Sequence, residues 1–254
     1  MAESSNARPA HGAARTSCRI PTAIPGGICW PCWVFDGFPW YRKGALHERF
    51  MIMPRGDAII ARIFAAFGRR RDDAIQWCRG RNWLLRLPVS LMLGYFGIAQ
   101  AINPNSWTLF SGINLPIHEG GHLLFRMFGW EFLHAAGGTL LQLFAPIASA
   151  VVFSKQRDYF AIAFCFAWLS TNVVSMGVYM ADAEAMQLPL VTAEGGGFIV
   201  NHDWHFLLSQ LGLLHHCEAI GWLTRQAGNL VMIGALGLCG WLMAQMYSAP
   251  KDAD

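Results

Sequence analysis

The chain has 254 residues, 54% of them apolar and 14% charged, with 19 Lys and Arg against 16 Asp and Glu for a formal net charge of +3. An ordinary soluble domain carries roughly 25% charged residues, so the composition argues against a soluble globule, and so small a charge argues against a nucleic-acid partner. The seven cysteines, Cys18, Cys29, Cys32, Cys78, Cys165, Cys217 and Cys239, are odd in number and scattered, which argues against a secreted disulfide scaffold.

Residues 1–56 are rich in Pro, Gly, Ala and Trp and show no helical or strand period. They read as a disordered tail, with Met51 or Met53 as an alternative start of translation. No apolar run follows Arg8, Arg15 and Arg19, so no secretory signal is expected. The single pair Cys29-Trp30-Pro31-Cys32 has no second pair to complete a metal site, and incidental thiols are the expected reading. In 57–82, Ile59, Ile60, Ile63, Phe64 and Phe67 fall at helical spacing and are followed by Arg69, Arg70, Arg71, Arg79 and Arg81. This pattern fits a basic amphipathic helix on an anionic membrane surface, or simply a solvated basic face.

A membrane span takes about 20 mostly apolar residues. The hydrophobic runs predict spans at 83–102, 107–129, 135–154, 159–180 and 226–247, within a membrane metallohydrolase-like domain over 83–247. The segment 204–223 reads as an interfacial helix, and 248–254 as a short C-terminal tail. The expected fold is therefore all-α, a polytopic membrane bundle of about five transmembrane helices, or six if 204–223 dips into the bilayer. Arginine density before the first span places the N-terminus in the cytoplasm, and the expected location is a bacterial-type inner (plasma) membrane.

The second span contains His118-Glu119-Gly120-Gly121-His122. Residues four apart share a helix face, so His118 and His122 present two imidazoles side by side, as a tetrahedral zinc requires. Glu119 is then the candidate general base, able to take a proton from a water that the metal acidifies. A Glu and two His inside a span are costly unless they serve a site; the plain alternative is hydrogen bonding within the bundle. Gly120 and Gly121 allow either close approach of a neighbouring helix or room beside the metal.

A catalytic zinc usually has three protein ligands and one open position. The candidates for the third are Asp182, His202, Asp203 and His205, all expected towards the cytoplasmic end of the bundle. His202 is favoured, with Asp203 next; an adjacent Asp could instead orient a ligand imidazole. Asn172 and Gln142, polar at similar depth, are candidates to bind substrate backbone or to pair with another helix.

These residues resemble the site-2 protease class of intramembrane zinc metalloproteases. The likeness covers about a third of the chain and rests on His118-Glu119-x-x-His122 followed by Gly137-Gly138-Thr139-Leu140-Leu141-Gln142. The resemblance implies zinc on His118 and His122, Glu119 as general base, a distant Asp as third ligand and a membrane-embedded protein or peptide as substrate. That family carries its third ligand in a Leu-Asp-Gly context, which does not occur after the motif in this chain. Two other readings stay open. Motif fragments His118-x-x-x-His122, His202-x-x-His205 and His215-His216 suit a membrane di-iron oxygenase of the desaturase or hydroxylase kind. A non-catalytic metal-binding membrane protein would use the same ligands without Glu119.

Overall fold

The computed structural model describes residues 55–188 and 202–249. The expectations for the tail over 1–54, with its Cys29/Cys32 pair and alternative starts, and for 250–254 lie outside those residues. The chain divides into two units, Met1–Ile60 and Ala61–Asp254; of the first, only the opening residues of helix α1 are described. The described elements are all helical: α1 (Arg55–Cys78), α2 (Leu87–Ile102), α3 (Ser111–Arg126), α4 (Glu131–Gln156), α5 (Tyr159–Ala181), α6 (Asp203–Gln210) and α7 (Cys217–Ser248), with short 3-10 turns at Trp83–Leu85 and Leu214–His216.

Among the described residues, three helices are long and apolar enough to cross a membrane: α4, α5 and the stretch Leu214–Ser248. Sequence patterning predicted five spans, and the difference lies in α2 and α3. Each is 16 residues long, about 24 Å at the helical rise, against a hydrocarbon core of about 30 Å. Pro88 opens α2, after the 3-10 turn has taken up the first apolar residues of the predicted span. Helix α3 begins only after the Thr108–Ser111 turn, where the Ser111 hydroxyl accepts the Thr108 N–H at 3.1 Å. It ends before Gly129, whose φ of +65° turns the chain into α4.

The last predicted boundary also moves. Instead of an interfacial helix at 204–223 and a span from 226, α6 stops at Gln210 and α7 runs unbroken from Cys217 to Ser248. The break falls at Gly212, φ +68°. There Leu213 N–H reaches back to Leu208 C=O at 2.8 Å and Gly212 N–H to Ser209 C=O at 3.0 Å, a glycine-terminated helix end.

Small residues set the helix spacing. Helices α5 and α7 pack closely where Gly177 meets Gly221, and a methyl on either would run into the other's backbone oxygen. Two turns further along, Ser170 Oγ donates to Gly228 C=O at 2.8 Å, satisfying a hydroxyl that is 1% exposed. Helices α3 and α4 form an antiparallel hairpin joined in the same way, Gly121 lying against the backbone of Gly137 and Gly138. Both arrangements follow the small-residue packing that membrane helices use in place of a hydrophobic drive. An apolar core of Leu93, Phe96, Phe110, Ala163, Ala167, Met232 and Cys239 ties α2, α5 and α7 together. Trp168 Nε1 donates to Asn114 Oδ1 at 2.8 Å, linking α5 to α3. The four described cysteines are buried and free.

Candidate metal centre

The α3–α4 hairpin and the start of α6 bring His118, His122 and Asp203 together, with one ligand atom from each lying within 4.8 Å of the others. His118 Nε2 is 3.3 Å and His122 Nε2 3.2 Å from the same oxygen, Asp203 Oδ2. For ligands at about 2.0–2.1 Å from a tetrahedral zinc, the ligand–ligand edge is about 3.3 Å, which the two His–Asp203 edges match.

The other ring nitrogens decide what faces that oxygen. His122 Nδ1 lies 2.8 Å from the backbone carbonyl of His134. A carbonyl only accepts, so the Nδ1 proton belongs to this bond. His118 Nδ1 lies 3.0 Å from Gln142 Oε1 and donates to it in the same way. When the rings are neutral, each Nε2 therefore carries a lone pair directed at a carboxylate oxygen. Two bare nitrogens and an anionic oxygen at this range repel one another unless a cation sits among them. The donation of the distal N–H to a carbonyl is also how ligand histidines are oriented in metal sites.

Space for an ion is provided by Gly138. A Cβ there would stand 2.5 Å from His122 Nε2 and 2.6 Å from His118 Nε2, so any other residue would fill the position between the imidazoles. The two motif glycines thus divide their work. Gly121 allows the helices to touch, while Gly120 has room to spare: an added methyl there would make only ordinary contact, with Leu141 Cδ2 at 3.9 Å. Glu119 is half-buried beside His118.

No protein-family model, curated protein or solved structure matches the chain.

The remaining sequence candidates fall into place around it. His202, favoured as third ligand, does not join the cluster. Its Nδ1 accepts the His205 N–H at 3.2 Å as the N-cap of α6, and its Nε2 faces Asp182 Oδ2 at 3.5 Å. Asp203, one residue on, supplies the oxygen instead. Asp182 is committed to the chain that follows it, accepting from Gln187 N–H at 2.9 Å and Leu188 N–H at 3.0 Å. His205 Nδ1 donates to Ala183 C=O at 2.8 Å. Gln142 and Asn172, candidates for binding substrate backbone or for pairing with another helix, do pair between helices: Gln142 holds His118, and the fully buried Asn172 donates from Nδ2 to the Gln142 carbonyl at 2.7 Å.

When the metal-free imidazoles are protonated, each Nε2 carries a proton instead, and the hydrogen bonds and charge of His118 and His122 outweigh burial and hold the Asp203 carboxyl below its ordinary value. Burial pushes the His202 imidazole down, against the pull of Asp182. Two contributors were missed from sequence. His134 acts through its main chain, which leaves no side-chain signature. The Tyr179 hydroxyl accepts the Asp203 N–H at 3.3 Å; a tyrosine one turn from the end of a hydrophobic helix reads as an interfacial anchor and carries no metal-site signal.

Proposed function

We propose that the protein is an integral membrane, zinc-dependent hydrolase that cleaves peptide bonds in or near the bilayer. The observation that carries the reading is the pair of imidazoles whose Nδ1 protons are given to the carbonyl oxygens of His134 and Gln142. Their Nε2 lone pairs then converge with Asp203 Oδ2 at 3.2–3.3 Å. Two imidazole nitrogens and one carboxylate oxygen form a donor set suited to zinc with a position left open.

The residues take these roles. His118, His122 and Asp203 would hold the ion; Gln142 and His134 would keep the two rings in the ligating tautomer; Gly138 would keep the space clear. When bound, zinc supplies Lewis acidity and brings the pKa of a water in its open position to about 7. Glu119, adjacent to the first ligand, accepts the proton of the attacking water and passes it to the leaving nitrogen of the peptide. The half-buried setting of Glu119 limits bulk water, which strengthens the carboxylate's interaction with a developing positive charge.

Membrane embedding is supported by α4, α5 and α7, and by the apolar side chains that face outward, among them Leu91, Tyr95, Ile98, Phe144, Ile147, Val151, Leu230 and Ile233. A soluble protein rarely leaves so much apolar surface uncovered. In this reading α2 and α3 complete five membrane segments in a bacterial-type inner membrane, with the arginine-rich α1 on the cytoplasmic side and the metal centre towards that face. A membrane-embedded protein or peptide is the substrate. A di-iron oxygenase would need further ligands at the same cavity. Among the described residues the clustered metal-ligating side chains are His118, His122 and Asp203 alone, and His205 and His215 lie apart, against Ala183 C=O and Glu184 Oε1.

The deciding experiment is metal content of detergent-purified protein by mass spectrometry, followed by peptidase assays on casein and on membrane-helix peptides. About one zinc per chain, absent in His118→Ala, together with cleavage lost in Glu119→Gln at unchanged zinc content, is the expected result. Two irons per chain would replace this reading with the oxygenase. Full function in Glu119→Gln would leave a metal-binding protein that is not a hydrolase.

A further inference from the structure

We infer that His202 is a positioning residue for the third ligand, anchoring the first turn of α6 so that the Asp203 carboxylate reaches both imidazoles. The inference rests on the metal-centre reading above and adds to it the means by which a ligand from a distant helix is held in register.

Histidine is not a customary N-cap; Ser, Thr, Asp and Asn serve better because their short side chains reach the orphan N–H groups of the first turn. His202 nonetheless caps α6, its Nδ1 accepting the N–H of His205 at 3.2 Å. A nitrogen that accepts carries no proton, so the ring proton of the neutral imidazole sits on Nε2. That atom faces Asp182 Oδ2 at 3.5 Å, longer than a well-formed hydrogen bond but close enough for the carboxylate to attract it. The ring also lies against the Tyr179 ring, centroids 4.1 Å apart and planes at 34°.

Tyr179 holds two successive residues. Its face carries the His202 ring, and its hydroxyl accepts the Asp203 N–H at 3.3 Å. Asp182 is itself fixed by the N–H groups of Gln187 and Leu188, so it is a firm anchor. The outcome is that α6 is pinned at its first residue to the end of α5. Its cap is 3% exposed, which leaves the ring no role in solvent. An asparagine would satisfy the cap but is too short to cover Tyr179 and meet Asp182 together, which gives a reason for histidine here.

The test uses the full chain in detergent, with zinc affinity measured by chelator competition and coordination geometry read from the visible spectrum of the cobalt(II)-loaded protein. Wild type is expected to bind one ion. His202→Ala should lose about 10- to 100-fold in zinc affinity, the range for residues that orient ligands, with an altered cobalt spectrum and with metal-free unfolding close to wild type. His202→Asn should recover part of that loss. Tyr179→Phe, which removes only the acceptor for the Asp203 N–H, should shift the cobalt spectrum in the same direction and stands in if His202→Ala does not fold. Wild-type affinity and spectrum in both His202→Ala and Tyr179→Phe would overturn the positioning role while leaving the metal centre standing. Complete recovery in His202→Asn would overturn the tether to Asp182 and Tyr179. A wild-type protein that binds neither zinc nor cobalt would overturn the metal-centre reading, and the inference with it.

Discussion

His122 Nδ1 donates to the main-chain carbonyl of His134 at 2.8 Å, so the first turn of α4 dictates which nitrogen of an α3 histidine faces Asp203. The bond does not involve the His134 side chain. His134→Ala should therefore leave zinc affinity close to wild type, although the two rings lie only 5.5 Å apart. Gln142→Leu removes a side-chain acceptor from the other imidazole and should weaken zinc by about 10- to 100-fold. Isothermal titration of the metal-free proteins checks both; equal losses in the two variants would contradict this division.

Gly138 and Gly120 should respond oppositely to the same methyl group. In Gly138→Ala the new carbon falls within 2.5 Å and 2.6 Å of the two ligand nitrogens, and zinc content should drop to near zero in a protein that still folds. Gly120→Ala meets only Leu141 Cδ2, at 3.9 Å, and should keep its zinc. It should also gain up to about 1 kcal/mol from the higher helix propensity of alanine. Metal analysis and thermal unfolding in detergent separate the two cases.

The α5–α7 contact should be sensitive to volume and only mildly sensitive to its one buried hydroxyl bond. Gly221→Ala drives a methyl into Gly177 C=O and Ala181 and should cost about 1–3 kcal/mol, as overpacking does. Ser170→Ala loses the 2.8 Å bond to Gly228 C=O and should cost about 0.5–1.5 kcal/mol. Equilibrium unfolding in mixed micelles would measure both, with Gly221→Ala the larger effect.

Acid should loosen the metal-free centre through Asp203. At acid pH, with both imidazoles protonated, its carboxyl is held below the ordinary value by the hydrogen bonds and charge of His118 and His122, which outweigh the opposing effect of burial. A group whose folded-state pKa is depressed contributes stability above its unfolded value, about 3.9 for Asp. That contribution is lost as pH falls through the folded value. Metal-free wild type should lose stability below about pH 4, and Asp203→Asn should flatten that acid limb. A limb of equal slope in the two proteins would assign the acid sensitivity to other groups.

The ends of α4 and α5 were legible because long apolar runs end in strong signals. Asp158 caps α5 by accepting the Ala161 N–H at 3.1 Å, and Arg157 takes a left-handed φ of 58° between the two helices. Helices α2 and α3 were overestimated because hydropathy counts apolar residues whether or not they are helical. The α6–α7 boundary is hard to place from sequence because a glycine can either end a helix, as Gly212 does at φ +68°, or sit inside one as a packing contact, as Gly221 and Gly228 do in α7. At the centre, the four-residue spacing of His118 and His122 carries its geometry in the sequence. The choice between His202 and Asp203 does not, since it depends on which ring nitrogen caps α6. Gln142 and Asn172 stood out as polar groups in apolar helices, yet their partners, a histidine nitrogen and a main-chain carbonyl, are set by three-dimensional packing alone.

The centre assembles from parts made at different times. His122–His134 and His118–Gln142 span 12 and 24 residues of sequence, whereas His118 and Asp203 are 85 apart. During synthesis the two histidines can be oriented as soon as the α3–α4 hairpin forms, but the carboxylate emerges only after all of α5 has been made. On the proposed reading, a half-built chain would present the two imidazole nitrogens without their carboxylate, and tight metal loading would await the arrival of α6. Hydrolytic competence would in this way be deferred until the bundle around it is nearly complete, sparing neighbouring nascent helices from premature cleavage.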